Sequence, residues 1–184
     1  MAIVPKVNVL GLDLSLTSTG YCHNGEAGYI STGLFGAERL RNIGREVENI
    51  VVDNKINIVA IEGYSFASRN SQAHSIGELG GVVRVFLLNM EIPFLEIPPT
   101  CRAKFATGRG NASKSEVISS ISAITGIVWK GGHADDMCDA WVLEEMVLAK
   151  MGRAKFTWSE TALSALDKID WSPLEGLLNE NKTD

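Results

Sequence analysis

Val7-Asn-Val-Leu-Gly-Leu-Asp-Leu14, followed by Ser15-Leu-Thr-Ser-Thr-Gly20 and Tyr21-Cys-His23, is the stretch on which the fold turns. An apolar run of this length closed by a Ser/Thr/Gly loop predicts a buried strand. The Asn24-Gly25 pair then predicts a hairpin, with Ala27 to Thr32 as the returning strand, so that residues 7–33 form a β-meander. Within the first strand one charge, Asp13, stands between Leu12 and Leu14. A carboxylate among buried apolar residues is costly unless it is paired, protonated or bound to a cation.

Downstream, Leu40, Ile43, Val47, Ile50 and Val51 recur by threes and fours, which predicts an amphipathic helix over Ala37 to Asp53. Ile56 to Ile61 reads as a second buried strand and ends on Glu62-Gly63. A polar loop (Ser65 to Ser71) leads to a helix over Ala73 to Met90 that is rich in small residues (Gly77, Gly80, Gly81). Pro93 to Ile97 is a short strand. Helices over 100–107 and 115–125 flank the basic loop Gly108-Arg-Gly-Asn-Ala-Ser-Lys114, and a long helix runs from His133 to about Met151. A short helix near Ser159 to Lys168 and a solvated acidic end complete the chain. Three strands, then helices alternating with two more, predict an α/β domain with a mixed sheet flanked by helices.

The 184 residues, 45% apolar and 21% charged, suit one globular domain and exclude coiled coil, collagen and disorder. No apolar run approaches the roughly 18 residues of a membrane span, and Met1-Ala-Ile-Val-Pro5 lacks a signal-peptide layout. Three scattered cysteines, Cys22, Cys101 and Cys138, argue against a disulfide framework or a zinc cluster. The expectation is a cytoplasmic protein with no membrane partner. Its net charge is −5, but Tyr64 to Lys114 carries six Lys/Arg against three Glu and is the electropositive third of the chain.

Three acidic positions have apolar neighbours. Asp13 and Glu62 each end a buried strand, and each also admits a plain reading as a solvated strand-end carboxylate. In the long helix, Asp136, Asp139, Ala140, Leu143, Met146 and Val147 share one face by i, i+3, i+4 spacing. An acid in the first turn serves the helix dipole, which accounts for Asp135 or Asp136 but not for Asp139 on the apolar stripe. Clustered carboxylates repel unless cations neutralise them, and an all-oxygen donor set favours Mg²⁺ or Mn²⁺. Two such ions about 4 Å apart suit phosphodiester hydrolysis.

Four motifs then occur in order: Gly11-Leu-Asp13-Leu-Ser-Leu-Thr-Ser-Thr-Gly-Tyr21, Ala60-Ile-Glu62 with Phe66 close behind, Gly108 to Lys114, and Ala134-Asp-Asp136-Met-Cys-Asp139-Ala140. Together they resemble the RuvC-type Holliday-junction resolvases of the ribonuclease H-like superfamily, as in a divergent or viral member. The resemblance covers residues 7 to about 150. It implies a ribonuclease H-like mixed five-stranded sheet over 1–155, with 156–184 as a C-terminal extension of unassigned role. It further implies a homodimeric Mg²⁺-dependent endodeoxyribonuclease, with Mn²⁺ as a substitute, that resolves four-way DNA junctions by paired nicks in the bacterial or, for a virus, host cytoplasm.

Carried over by position, the catalytic and metal-binding tetrad is Asp13, Glu62, Asp136 and Asp139. Asp135 competes with Asp136, and His133 is a lesser ligand candidate. Phe66, with Tyr64 nearby, matches the aromatic used against unstacked bases. Lys104 and Lys114 match the basic DNA-contacting positions, with Arg102 as an alternative to Lys104, and Arg69 and Arg109 are further phosphate candidates. Residues 71–90 correspond to the dimerisation region. Three other readings share parts of this pattern. A nuclease of the same superfamily acting on flaps, forks or hybrids would use the same acids. A sugar-kinase or actin-like ATPase would share the opening motif but needs a second lobe, and a silent junction-binding module would not need the tetrad.

Overall fold

The computed structural model describes residues 7–63 and 72–180. Strands β1 (Val9–Asp13), β2 (Thr19–His23) and β3 (Glu26–Ile30) form the expected meander. Asn24 and Gly25 both take positive φ (55° and 83°), the turn geometry that matches strand twist in a two-residue hairpin. Helix α1 (Gly36–Asp53) leads to β4 (Ile58–Glu62), α2 (Gln72–Asn89) to β5 (Phe94–Ile97), and α3 (Pro99–Thr107), α4 (Lys114–Thr125) and α5 (Ala134–Lys150) follow. The sheet order is β3-β2-β1-β4-β5, antiparallel across the meander and parallel from β1 to β4 and from β4 to β5. This is the five-stranded mixed sheet that the element order predicts.

Side-chain alternation divides the core in two. Leu10, Leu12, Val59 and Ile61 pack with α1 and α2 on one face, against Ile43, Val47, Leu79, Val83 and Leu87. Val9, Ile58 and Ala60 pack with α3 and α5 on the other. By the same period of two, Asp13 and Glu62 belong to the α5 face. Leu12 pairs with Ile61 in parallel register, so the next residue on each strand places the two carboxylates side by side.

Two glycines bring α5 onto this face. A Cβ on Gly11 would lie 2.1 Å from the Ala140 carbonyl oxygen, and one on Gly20 would lie 2.0 Å from that of Asp136. Only a bare backbone admits the helix at that depth. Instead of carrying a single apolar stripe, α5 is buried on every side from Cys138 to Leu148. The reason is that α3 and α4 flank it away from the sheet and the segment after Met151 closes over Trp141, whose ring centroid lies 5.8 Å from that of Phe156 and 6.5 Å from that of Trp158. Ala162, Ala165, Leu166, Ile169, Trp171 and Leu174 extend the same apolar cluster. Glu145 fastens this segment, one carboxylate oxygen accepting from Lys155 N (2.9 Å), Phe156 N (3.3 Å) and Trp158 Nε1 (3.0 Å). The expected helix over Ser159 to Lys168 divides into α6 (Glu160–Leu163) and a 3₁₀ turn (Leu166–Lys168), and a further helix, α7 (Ser172–Glu180), follows. Among the described residues no helix is long and apolar enough to cross a membrane.

Candidate active site

Asp13, Glu62 and Asp139 converge at the C-terminal ends of β1 and β4, each offering a carboxylate oxygen within 4.8 Å of the others. The Asp139 side chain is 1% exposed, and those of Asp13 and Glu62 are 14% and 15% exposed. Burial, together with the neighbouring Glu62 and Asp139 charges, raises the Asp13 carboxyl well above its usual range. Burial pushes Asp139 up to about 7, with Arg102 opposing the rise and Glu62 adding to it. Asp139 Oδ2 is buried with no hydrogen-bond donor.

Among the described residues, two cations enter this cluster. Arg102, the alternative to Lys104 for DNA contact, has a side chain that is 8% exposed and faces inward. Nε donates to Glu62 Oε2 (2.5 Å), Nη2 to Glu62 Oε1 (3.5 Å) and Nη1 to Asp139 Oδ1. The local cause is α3 itself: starting at Pro99, it packs Cys101, Ala103, Phe105 and Ala106 into the core along with Arg102. A guanidinium held there is satisfied by carboxylates rather than phosphate. Its flanking Cys101 and Ala103 are the signal that the sequence offered and that charge alone obscures.

The second cation is Lys114. Its position follows from a capping box: the Ser113 hydroxyl accepts from Glu116 N (3.3 Å) while Glu116 Oε2 accepts from Ser113 N (2.7 Å). That fixes Lys114 as the first residue of α4, facing the start of α5. Its Nζ lies 3.0 Å from Asp135 Oδ2, 3.2 Å from Asp136 Oδ1, 3.8 Å from Asp139 Oδ2 and 4.0 Å from Asp13 Oδ2. Asp136, expected as the fourth member of the tetrad, reaches the group through Lys114, and its other oxygen lies 3.9 Å from His133 Nδ1. Asp135 is more exposed, at 36%; desolvation raises its carboxyl, but the hydrogen bond and charge of Lys114 together with backbone N–H groups outweigh that and hold it below the usual range. The His133 ring packs against that of Tyr29 at a 42° tilt, with centroids 4.4 Å apart.

Arg109 is exposed and tied to the capping box through Glu116 Oε1 (2.5 Å), and Lys104 is half-buried. Tyr64, Phe66 and Arg69 lie outside the described residues. The arrangement is thus an oxygen-donor pocket at one end of the sheet, with two cations already directed at its carboxylates.

The crossover junction endodeoxyribonuclease RuvC family model matches residues 9–144. The protein of that name from Carboxydothermus hydrogenoformans is 32% identical over 115 residues, covering 62% of this chain and 72% of its own length. The one from Chlorobium phaeobacteroides is 30% identical over 158 residues, covering 78% and 82%. Thermus thermophilus RuvC, in a structure with a Holliday junction substrate, superposes with a TM-score of 0.61 at 24% identity over 82% of this chain and 99% of that one. The yeast mitochondrial Holliday junction resolvase Ydc2 gives 0.53 at 13% identity over 98% and 85%. Both likenesses are of fold, and the sequence match supplies the family. The chain is a member of the crossover junction endodeoxyribonuclease RuvC family.

Proposed function

We infer that this protein is a metal-dependent endodeoxyribonuclease that acts as a homodimer and resolves four-way DNA junctions by paired nicks. The observation that carries the reading is the convergence of Asp13, Glu62 and Asp139 within 4.8 Å in a chain of this family. Its relatives bear the name crossover junction endodeoxyribonuclease.

The residues fit a hard divalent cation. All donors are carboxylate oxygens, the buried Asp139 Oδ2 has no hydrogen-bond donor, and burial opposes the charges of Asp13 and Asp139. Asp13, Glu62 and Asp139 would hold Mg²⁺ or Mn²⁺, with Asp136 the nearest further carboxylate on α5. When bound, such ions neutralise charge on a phosphodiester and acidify water.

The chain's own groups prepare this site. Arg102 grips Glu62 through two nitrogens and Asp139 through a third, so both carboxylates are fixed in orientation before substrate arrives. Lys114 is half exposed, so its Nζ can both steady the acidic cluster and donate to a phosphate oxygen. Two incisions related by a two-fold axis need two such sites, and α2 offers a face for a second copy: Val85 and Leu88 are 54% and 64% exposed beside an open Gly81.

Incubation of a synthetic four-way junction with wild type and Asp13→Asn tests the reading. Wild type cuts in Mg²⁺ and not in excess chelator. Asp13→Asn binds the junction but cuts at least about a thousandfold more slowly. Near wild-type cutting by the variant, or robust cutting in chelator, would remove the shared metal site.

A further inference from the structure

Phe35 occupies a position that neither stability nor packing explains. It is the N-cap residue of α1 (φ −132°, ψ 163°), where Ser, Thr, Asp or Asn would accept a hydrogen bond from the first turn, and its side chain makes no cap. It is also 76% exposed, the highest value for a large hydrophobic residue among the described residues. The ring is nonetheless held. Arg39, one turn into α1, places its guanidinium carbon 5.1 Å from the ring centroid and donates Nε to the Leu34 carbonyl (2.7 Å).

This ring stands at the catalytic end of the sheet. β3 runs parallel to β1, because each is antiparallel to β2, so the β3–α1 connection emerges at the end where Asp13 lies. Beneath Phe35 a cleft of about 480 Å³, within the ordinary small-ligand range, opens between the Asp13 loop and the first turns of α1 and α2. Its walls are Leu16, Phe35, Leu40, Arg39, Ser75 and Glu78. Leu16 belongs to the loop that follows Asp13, so the cleft lies at the same end of the sheet as the carboxylates, on its α1–α2 side. Among the described residues, one cation and one carboxylate line the cleft and offset one another. That composition suits a flat, uncharged, polar-edged aromatic group better than a phosphate.

We propose that Phe35, backed by Arg39, is a stacking platform for an unpaired nucleobase of the DNA held at the carboxylate site. This rests on the nuclease reading above and adds to it a base-binding surface on the α1 side. An exposed aromatic with a cation on one face offers its other face to a base of any identity, and the adjoining cleft admits the base edge. The chain thereby keeps an uncapped helix and a solvated ring.

Four-way junctions carrying 2-aminopurine at successive positions around the crossover test this, with Phe35→Ala, Phe35→Ser and Arg39→Ala each made in the Asp13→Asn background to prevent incision. At one or two positions the parent changes the probe's fluorescence on binding, and both Phe35 variants lose that change. Junction affinity falls about 5- to 150-fold in Phe35→Ala, and Arg39→Ala shows a smaller loss. Phe35→Ser melts at a higher temperature than its parent, because its hydroxyl caps α1, while binding as weakly as the alanine variant. A merely structural Phe35 would not separate stability from binding in this way. If the parent binds junctions and wild type cuts them while Phe35→Ala keeps full affinity and the full probe response, the platform is overturned and the nuclease reading stands. Affinity loss with no probe response at any position overturns stacking. Dissociation of a dimer on Phe35→Ala would make a second copy the occupant and overturn the proposal. Absence of junction binding and cutting by wild type overturns both readings.

Discussion

Arg102→Met replaces the buried guanidinium by an apolar side chain and leaves Glu62, Asp139 and Asp13 facing one another, with Lys114 the remaining cation within 4 Å of the group among the described residues. Removing one partner of a buried ion pair costs about 3–5 kcal/mol, because the other is left charged and unsolvated. At roughly 2–4 °C per kcal/mol for a chain of this size, the melting temperature should drop by about 10 °C at pH 8 without divalent cations. The loss must depend on pH. Asp139 titrates at about 7 in the fold against an ordinary 3.8, so the native state binds the extra proton, and this group's contribution declines as pH rises from about 4 to 7. Three units correspond to a ceiling of roughly 4 kcal/mol. Arg102 lowers the Asp139 carboxyl, so its removal raises it further and extends the window above pH 7. Melting curves in EDTA at pH 5.5 and 8.0 should therefore show the variant much closer to wild type at the lower pH. Added Mg²⁺ should raise the variant's melting temperature more than wild type's, since the ion meets carboxylates that no guanidinium occupies. An equal deficit at both pH values, or none at pH 8, would refute the assignment of Arg102 as counter-cation of the cluster.

Gly20→Ala would put a Cβ 2.0 Å from the Asp136 carbonyl and displace the start of α5 by more than 1 Å. Junction cleavage should drop about a hundredfold with binding retained, and a rate within threefold of wild type would show that α5 is not positioned by this contact. Trp158→Ala removes the indole that donates to Glu145 and lies 4.3 Å from the Phe105 ring on the helix carrying Arg102. Denaturant unfolding should register a loss of about 3–5 kcal/mol, and a change below about 1 kcal/mol would mean that the segment after Met151 does not share the core.

The meander, the strand-end acids and the inward Asp139 were legible because each rests on local pattern: an Asn-Gly turn, period-two alternation and carboxylates among apolar neighbours. Helix α5 was only half legible. Its far face is covered by α3, α4, Phe156 and Trp158, and the segment after Met151 has a pattern that is short and interrupted by Pro173. Arg102 and Lys114 both read as cations for DNA, since sequence records charge but not direction. The inward aim of Arg102 comes from α3 lying against the core, and the reach of Lys114 from a capping box that starts α4 one residue earlier. Phe35 was not legible because the sequence records an aromatic before a helix but not its exposure.

Incision of a supercoiled plasmid that extrudes a single cruciform, followed over time in Mg²⁺, tests the central claim most directly. Two carboxylate sites acting across one junction should convert the circle to linear DNA with nicks at symmetrical positions on opposing strands, and plasmid without the cruciform should remain intact. Accumulation of singly nicked circles, or equal cutting of flaps, forks and hybrids offered alongside, would contradict paired resolution of four-way junctions by this protein.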